Sequence, residues 1–272
     1  MSSKNLILFL ILNLVFVKVD GQDYPTYLKE NAIKIDKVDS LNKNVYDLLA
    51  AYKIIMIGEI HGTNEPVNFL EGLVKLFTEN GDTVQVGFEI PAKQMAPFLK
   101  HPSRVNILKT EFFVSPSGDG RASVAWNRAI AKISKNPKAS LFFFDKNIGD
   151  NRNADSVMYL NIKYRIEKHR NWKTITISGN IHNSLEMYKE QNTMGTLLSI
   201  DKELNIADNI CSLNHEFKGG QTIWNEFKET ETVYSKVGYD NYLFLYPKNK
   251  NEPYTGFLYT KYLTKSESAV LK

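Results

Sequence analysis

The sequence predicts an α/β fold: a mainly parallel sheet flanked by helices on both faces. Three observations carry this expectation. Four short apolar runs, at 54–57, 84–88, 141–144 and 175–177, have strand length. At least three are followed by stretches with helical spacing, the alternation that generates a parallel sheet. Each run also leads into residues able to do chemistry: Glu59 and His61, then Glu89, Asp145 and His182. Ligands of such sheets bind beyond the carboxyl ends of the strands, so the architecture alone can bring these groups to one mouth.

The first segment stands outside this pattern. Lys4 precedes an apolar run at 6–17, and Val19 and Gly21 are small residues in the positions before a cut. This is the layout of a signal peptide, with cleavage expected after Gly21. The run is short against the ~20 residues of a membrane span. A cleaved leader is therefore expected, leaving no stable membrane span and a periplasmic or extracellular destination in a bacterium. Residues 22–272 read as one α/β domain, because no linker, repeat or low-complexity tract divides them.

Within 22–50, the spacing of Val38, Leu41, Val45, Leu48 and Leu49 predicts a short amphipathic helix before the first strand. After Gly62, Thr63 or Asn64 can cap a helix with Glu65 and Pro66 in its first turn, both favoured there. Val67, Leu70, Leu73, Val74 and Phe77 form its apolar stripe, and Asn80-Gly81 ends it. Pro91 stops the second strand. A short helix near 93–99 and an apolar stretch at 112–114 follow. The glycine-containing loop 115–121 then delivers Arg121 to a helix at about 122–134.

After the third strand, the polar loop 147–153 precedes a helix carrying Val157, Leu160, Asn161 and Tyr164 on successive turns. His182 falls where the helix after the fourth strand begins. Beyond Gly195, segments 196–200, 210–213, 242–246 and 257–259 are expected as further strands, some antiparallel at the sheet edge. Residues 215–240 give no clear topology.

Charge narrows the partners. Removing Lys4, Lys18 and Asp20 with the leader takes the formal charge from +4 to +3. Apart from Lys248, Lys250, Lys261 and Lys265, the basic residues are scattered. A nucleic-acid footprint needs a clustered stripe, so the expected partner is a small-molecule or peptide substrate. Cys211, the lone cysteine, cannot form an internal disulfide and reads as a small buried hydrophobe. An exported chain without disulfides fits a bacterium better than an animal secretory pathway.

His61 is flanked by Gly58 and Gly62, which permit a sharp turn and close ligand approach. A neutral imidazole takes protons near pH 7, and a neighbouring carboxylate orients it and raises its basicity. Glu59, Glu65 or Glu89 fits that part. A strand-end glutamate is costly to bury without a partner, which argues that Glu89 has one. Arg121 is either a clamp for an anionic or oxyanionic group or a solvent-facing turn residue. Asp145 is either a supporting carboxylate or a loop cap. Arg128 and Trp126 read as packing residues, and His101, His169 and His215 as surface residues. No familiar metal signature occurs, although Glu59, His61 and His182 form a set that zinc, manganese or cobalt accepts chemically. The chain lacks a Gly-x-Ser-x-Gly elbow and a Walker loop, against serine-hydrolase and NTPase chemistry.

The segment Ile57-Gly58-Glu59-Ile60-His61-Gly62-Thr63-Asn64-Glu65 resembles the first motif of the erythromycin esterase group. That group belongs to a superfamily with ChaN-type haem-binding lipoproteins and Tiki/TraB proteins. Phe88-Glu89 resembles its second-strand glutamate. Ser178-Gly179-Asn180-Ile181-His182 is similar to its later histidine motif, and Met194-Gly195-Thr196-Leu197-Leu198 to the glycine stretch that follows. The similarity spans roughly residues 52–246 in order. It implies that His61 activates water, with Glu59, Glu65 and Glu89 around it and His182 opposite. The esterases usually carry one more residue between the Glu and His of the first motif, and a longer helical insertion. A macrolide substrate is therefore not expected. The superfamily also divides over cofactors: none, a divalent metal or haem. Two functions are expected of such a site. One is an exported hydrolase acting on an ester, lactone or amide carbonyl, with His182 or Arg121 stabilising the oxyanion. The alternative is a haem- or small-ligand-binding protein with His61, His182 or a tyrosine as axial ligand.

Overall fold

The computed structural model describes residues 24–96, 110–114, 120–248 and 250–269. The leader, residues 97–99 of the expected 93–99 helix, His101 and most of loop 115–121 lie outside the described residues.

A nine-stranded sheet organises the chain. Its strands are β1 (Ile33–Lys34), β2 (Ile54–Glu59), β3 (Val84–Pro91), β4 (Ala139–Asp145), β5 (Lys173–Gly179), β6 (Ile210–Gln221), β7 (Glu226–Phe227), β8 (Asn241–Leu245) and β9 (Gly256–Leu263). They lie in the order β1-β8-β9-β6-β2-β5-β3-β4, with β7 pairing β6. The six strands from β9 to β4 are parallel, and β1, β7 and β8 pair antiparallel. The predicted α/β class is thus the observed one, and antiparallel pairing lies towards the β8 edge as expected. β5 enters the sheet between β2 and β3. In register, Glu59 sits beside Gly179 and Phe88 beside Ile177.

Among the described residues the α-helices are α1 (Tyr24–Asn31), α2 (Lys43–Leu49), α3 (Glu65–Glu79), α4 (Glu111–Val114), α5 (Val124–Ile133), α6 (Ala154–Lys168) and α7 (Met194–Ile200). β2 is apolar almost throughout because helices cover both its faces. Ile55 and Ile57 pack in one cluster with α2, α3 and α5. Ile54 and Met56 face the other way, against α6 and α7. A third, aromatic cluster joins α1 to β8 and β9 through Leu28, Tyr242, Phe244, Phe257 and Tyr259.

Several expectations need correction. Segment 196–200 is part of helix α7, not a strand: the Thr193 side chain accepts from Thr196 N, and Met194 and Leu198 bury at helical spacing. On α6 the apolar face is Val157, Met158, Ile162 and Ile166, while Leu160 and Tyr164 point to solvent. The neighbouring sheet selects the face that packs, and both stripes were compatible with helical periodicity. The helix before β2 starts only at Lys43, capped by the Asn42 side chain, so Val38 and Leu41 precede it. Asn64 occupies the cap position of α3 but donates instead to Thr264 and Lys265. His215 is buried in β6, hydrogen-bonded to Thr260, and burial pushes its pKa down to about 3. The unplaced 215–240 region continues β6, adds β7 and turns at Tyr234–Val237. Cys211 is buried, as expected. No helix among the described residues is long and apolar enough to cross a membrane.

Candidate active site

The chain leaves β2 at Glu59, turns through Gly62 in a left-handed conformation, φ +85°, and enters α3. His61 Nδ1 lies 2.6 Å from Glu59 Oε1. An ionised carboxylate only accepts, so Nδ1 carries the proton and Nε2 is the atom presented to the mouth. Glu59 is fully engaged. Its other oxygen accepts from the buried Trp126 indole, 3.1 Å away on α5.

Glu89, at the end of β3, occupies the middle. Its Oε2 accepts from Gly179 N at 2.8 Å and stands 4.0 Å from His61 Nε2. Its Oε1 accepts from Arg121 Nη1 at 2.7 Å and stands 3.7 Å from His182 Nε2. The same Arg121 nitrogen donates to Asp145 Oδ2 at 2.8 Å and to the Glu89 carbonyl. Arg121 therefore faces the mouth and is engaged by two carboxylates. The other Asp145 oxygen, Oδ1, accepts from Lys146 N at 2.6 Å at the start of the following loop.

His182 follows β5 on a single 3₁₀ turn, Asn180–Asn183. Its Nδ1 lies 2.8 Å from Asp155 Oδ1, which also accepts from Met194 N. Two carboxylate–imidazole pairs thus flank Glu89, and each presents Nε2. Gly179 makes the space between them. A methyl there would lie 3.3 Å from His61 Nε2 and 3.6 Å from His182 Cδ2. Both rings therefore border one small volume.

Burial opposes charge on His61, but the hydrogen bond and charge of Glu59, with the charge of Glu89, overcome it and raise the pKa to about 9. His182 is raised as well, burial being outweighed by Asp155 and Glu89. Both shifts favour the imidazolium form, because carboxylates crowd the mouth.

Glu59, Glu89, His61, His182, Arg121 and Asp145 thus come together. Glu65 does not join them. Its Oε1 accepts from both the backbone and hydroxyl of Thr264, and burial raises its pKa. Of the trio Glu59, His61 and His182, Glu59 turns one oxygen to the His61 ring and the other to the Trp126 indole. Among the described residues no group of three or more His, Cys, Asp or Glu side chains is disposed to hold an ion. Two partners escaped sequence reasoning. Asp155 follows a polar loop and looks like an ordinary acidic residue in a first helical turn. Trp126 carried an apolar signal that hid its indole N–H.

The fold and site define a class: an α/β protein with an ionisable cluster at the carboxyl edge of a parallel sheet. No family model matches the sequence, and no curated protein matches it. Solved structures do match. One is a succinoglycan biosynthesis protein at 11% identity, TM-score 0.63, covering 89% of this chain and 97% of that one. A second is a mutant of the erythromycin esterase EreC in its open conformation, at 11% identity and TM-score 0.57, covering 85% and 95%. Haem-bound ChaN of Campylobacter jejuni matches more loosely, at 10% identity and TM-score 0.43, covering 64% and 85%. The chain shares its fold with the erythromycin esterase, as the sequence resemblance implied.

Proposed function

We propose that this chain is an exported hydrolase that activates water with His61. The neutral imidazole, held by Glu59, takes a proton from water at Nε2. The oxygen so freed adds to an ester, lactone or amide carbonyl. His182, charged and held by Asp155, stabilises the developing oxyanion and returns a proton to the leaving group as its bond to carbon breaks. Arg121 is tied to Glu89 and Asp145, so it contributes positive field and holds Glu89 in place. Export rests on the leader-like segment 1–21.

The observation that carries this reading is the pair of braced imidazoles bordering one volume. A base and an acid of the same chemical type can divide the two proton transfers of hydrolysis when one ring is neutral and the other charged in the reacting state. With a pKa of about 9, His61 is neutral in roughly 1% of molecules at pH 7. Turnover is therefore expected to rise with pH from 7 for as long as His182 keeps its proton.

The test is a panel of ester, lactone and peptide substrates, run with and without EDTA, on the wild type and His61→Ala. Turnover by the wild type and none by the folded mutant supports the reading. Equal turnover by both removes His61 from the mechanism. A Soret band on haem titration, with no turnover on any substrate, would favour the ligand-binding alternative.

A further inference from the structure

We propose that segment 264–269 is a positioning element for His61, lacing the loop that carries it to the loop that carries Arg121. This rests on the reading of His61 as the base. The two loops come from distant parts of the sequence and meet backbone to backbone. A Cβ on Gly120 would lie 2.4 Å from Gly62 N and 2.6 Å from the His61 carbonyl carbon. Only glycine allows that approach, and the contact brings no side chain to secure it.

Segment 264–269 adds the fastening. On the His61 side, Asn64 N donates to Thr264 O at 3.0 Å, and Ser266 N donates to Gly62 O at 2.9 Å. On the Arg121 side, Val124 N donates to Glu267 O at 2.8 Å, and Ala269 N donates to Ala122 O at 3.0 Å. Ser266 joins both sides, since its hydroxyl accepts from Ala125 N at 3.2 Å. Leu263, Ser266 and Ala269 are buried, so every third residue faces inward.

Glu65 anchors the end nearer His61. Its Oε1 receives Thr264 N and Oγ, while its buried Oε2 has no partner. A carboxyl buried in this way is costly, and losing Thr264 would leave it with still fewer bonds. The connection reaches the base through Glu59. One Glu59 oxygen holds His61 on the β2 side, and the other holds Trp126 on the first turn of α5. If α5 and the β2 loop shift apart, Glu59 cannot satisfy both.

The decisive variant is Ser266→Pro, which deletes the N–H donated to Gly62 and the hydroxyl that serves Ala125. The expected result is a kcat about 100-fold lower with KM within about threefold, because the base is misplaced while the substrate walls remain. The His61 imidazole, followed by NMR, should titrate nearer its ordinary range, with Glu59, Glu89, Arg121 and His182 all still present. Ser266→Ala restores the N–H and should recover most of the loss. If circular dichroism shows Ser266→Pro to be unfolded, Thr264→Val replaces it. That variant removes the hydroxyl's bonds to Glu65 and to the Asn64 side chain, leaves the backbone bonds in place, and should move both readouts the same way by less. A folded variant with wild-type kcat and unchanged His61 titration overturns the proposal. If His61→Ala keeps full turnover, the reading of His61 as the base fails by itself. The His61 titration still decides whether the segment positions the ring.

Discussion

Glu59→Gln separates the two forces acting on His61. Burial disfavours the imidazolium, and Glu59 is the chief group opposing it. Holding the ring near pH 9 instead of its ordinary 6.5 corresponds to about 3 kcal/mol of preference for the charged form. Glutamine keeps the shape and removes the charge. Glu89 is then left alone against burial and Arg121, so His61 is expected to titrate at or below 6.5. Glutamine also has a single acceptor oxygen where the structure needs two. It can receive His61 Nδ1–H or the Trp126 indole, and the other donor then faces an amide NH₂. That mismatch costs about 1–3 kcal/mol of stability. Turnover at each protein's own pH optimum should fall by about 10²- to 10⁴-fold, the usual contribution of a positioned base. The assays are an NMR titration of the imidazole, a pH–rate profile and urea unfolding. A His61 titration unmoved in Glu59→Gln would refute the argument, because another group would then be holding the charge.

Three further outcomes are expected. Gly179→Ala would insert a methyl 3.3 Å from His61 Nε2; steady-state kinetics should show turnover largely lost, while the thermal midpoint moves only a few degrees. Arg121→Gln leaves Glu89 and Asp145 without the cation between them. Loss of one partner from a buried ion network costs about 3–5 kcal/mol, measurable as a lower urea midpoint. Stability should also depend on alkaline pH. His61 has its pKa raised on folding, so its contribution is complete below about 6.5 and is lost as pH rises through about 9. The raised His182 acts in the same direction. Unfolding free energy measured from pH 6 to 10 should decline in wild type and decline less in His61→Ala.

The elements legible in the sequence were those whose environment is simple. Strands β2 to β5 are buried along most of their length, so they appear as short, largely apolar runs, and their ends stand out where chemically active residues follow. Glu59, His61, Glu89, Asp145 and His182 were found in that way. Segment 196–200 was misread because a short apolar run carries no period of its own. The Thr193 cap and the packing of Met194 and Leu198 against the sheet decide for helix. His215 looked like a surface residue because its partner, Thr260, lies 45 positions away on a neighbouring strand.

Glu65 and Asp155 show where local reading stops. Glu65 is four residues from His61 yet turns to Thr264, because the first turn of α3 points its side chain towards the segment after β9. Asp155 is 27 residues from His182 yet meets it. By itself, the order of residues determined the strands, their chemically loaded ends and the α/β class, because these depend on local hydrophobicity and turn chemistry. Tertiary structure alone decided that β5 enters between β2 and β3. That single insertion sets Gly179 beside Glu59 and brings two distant imidazoles to either side of Glu89, since strand order depends on long-range packing that no local pattern records.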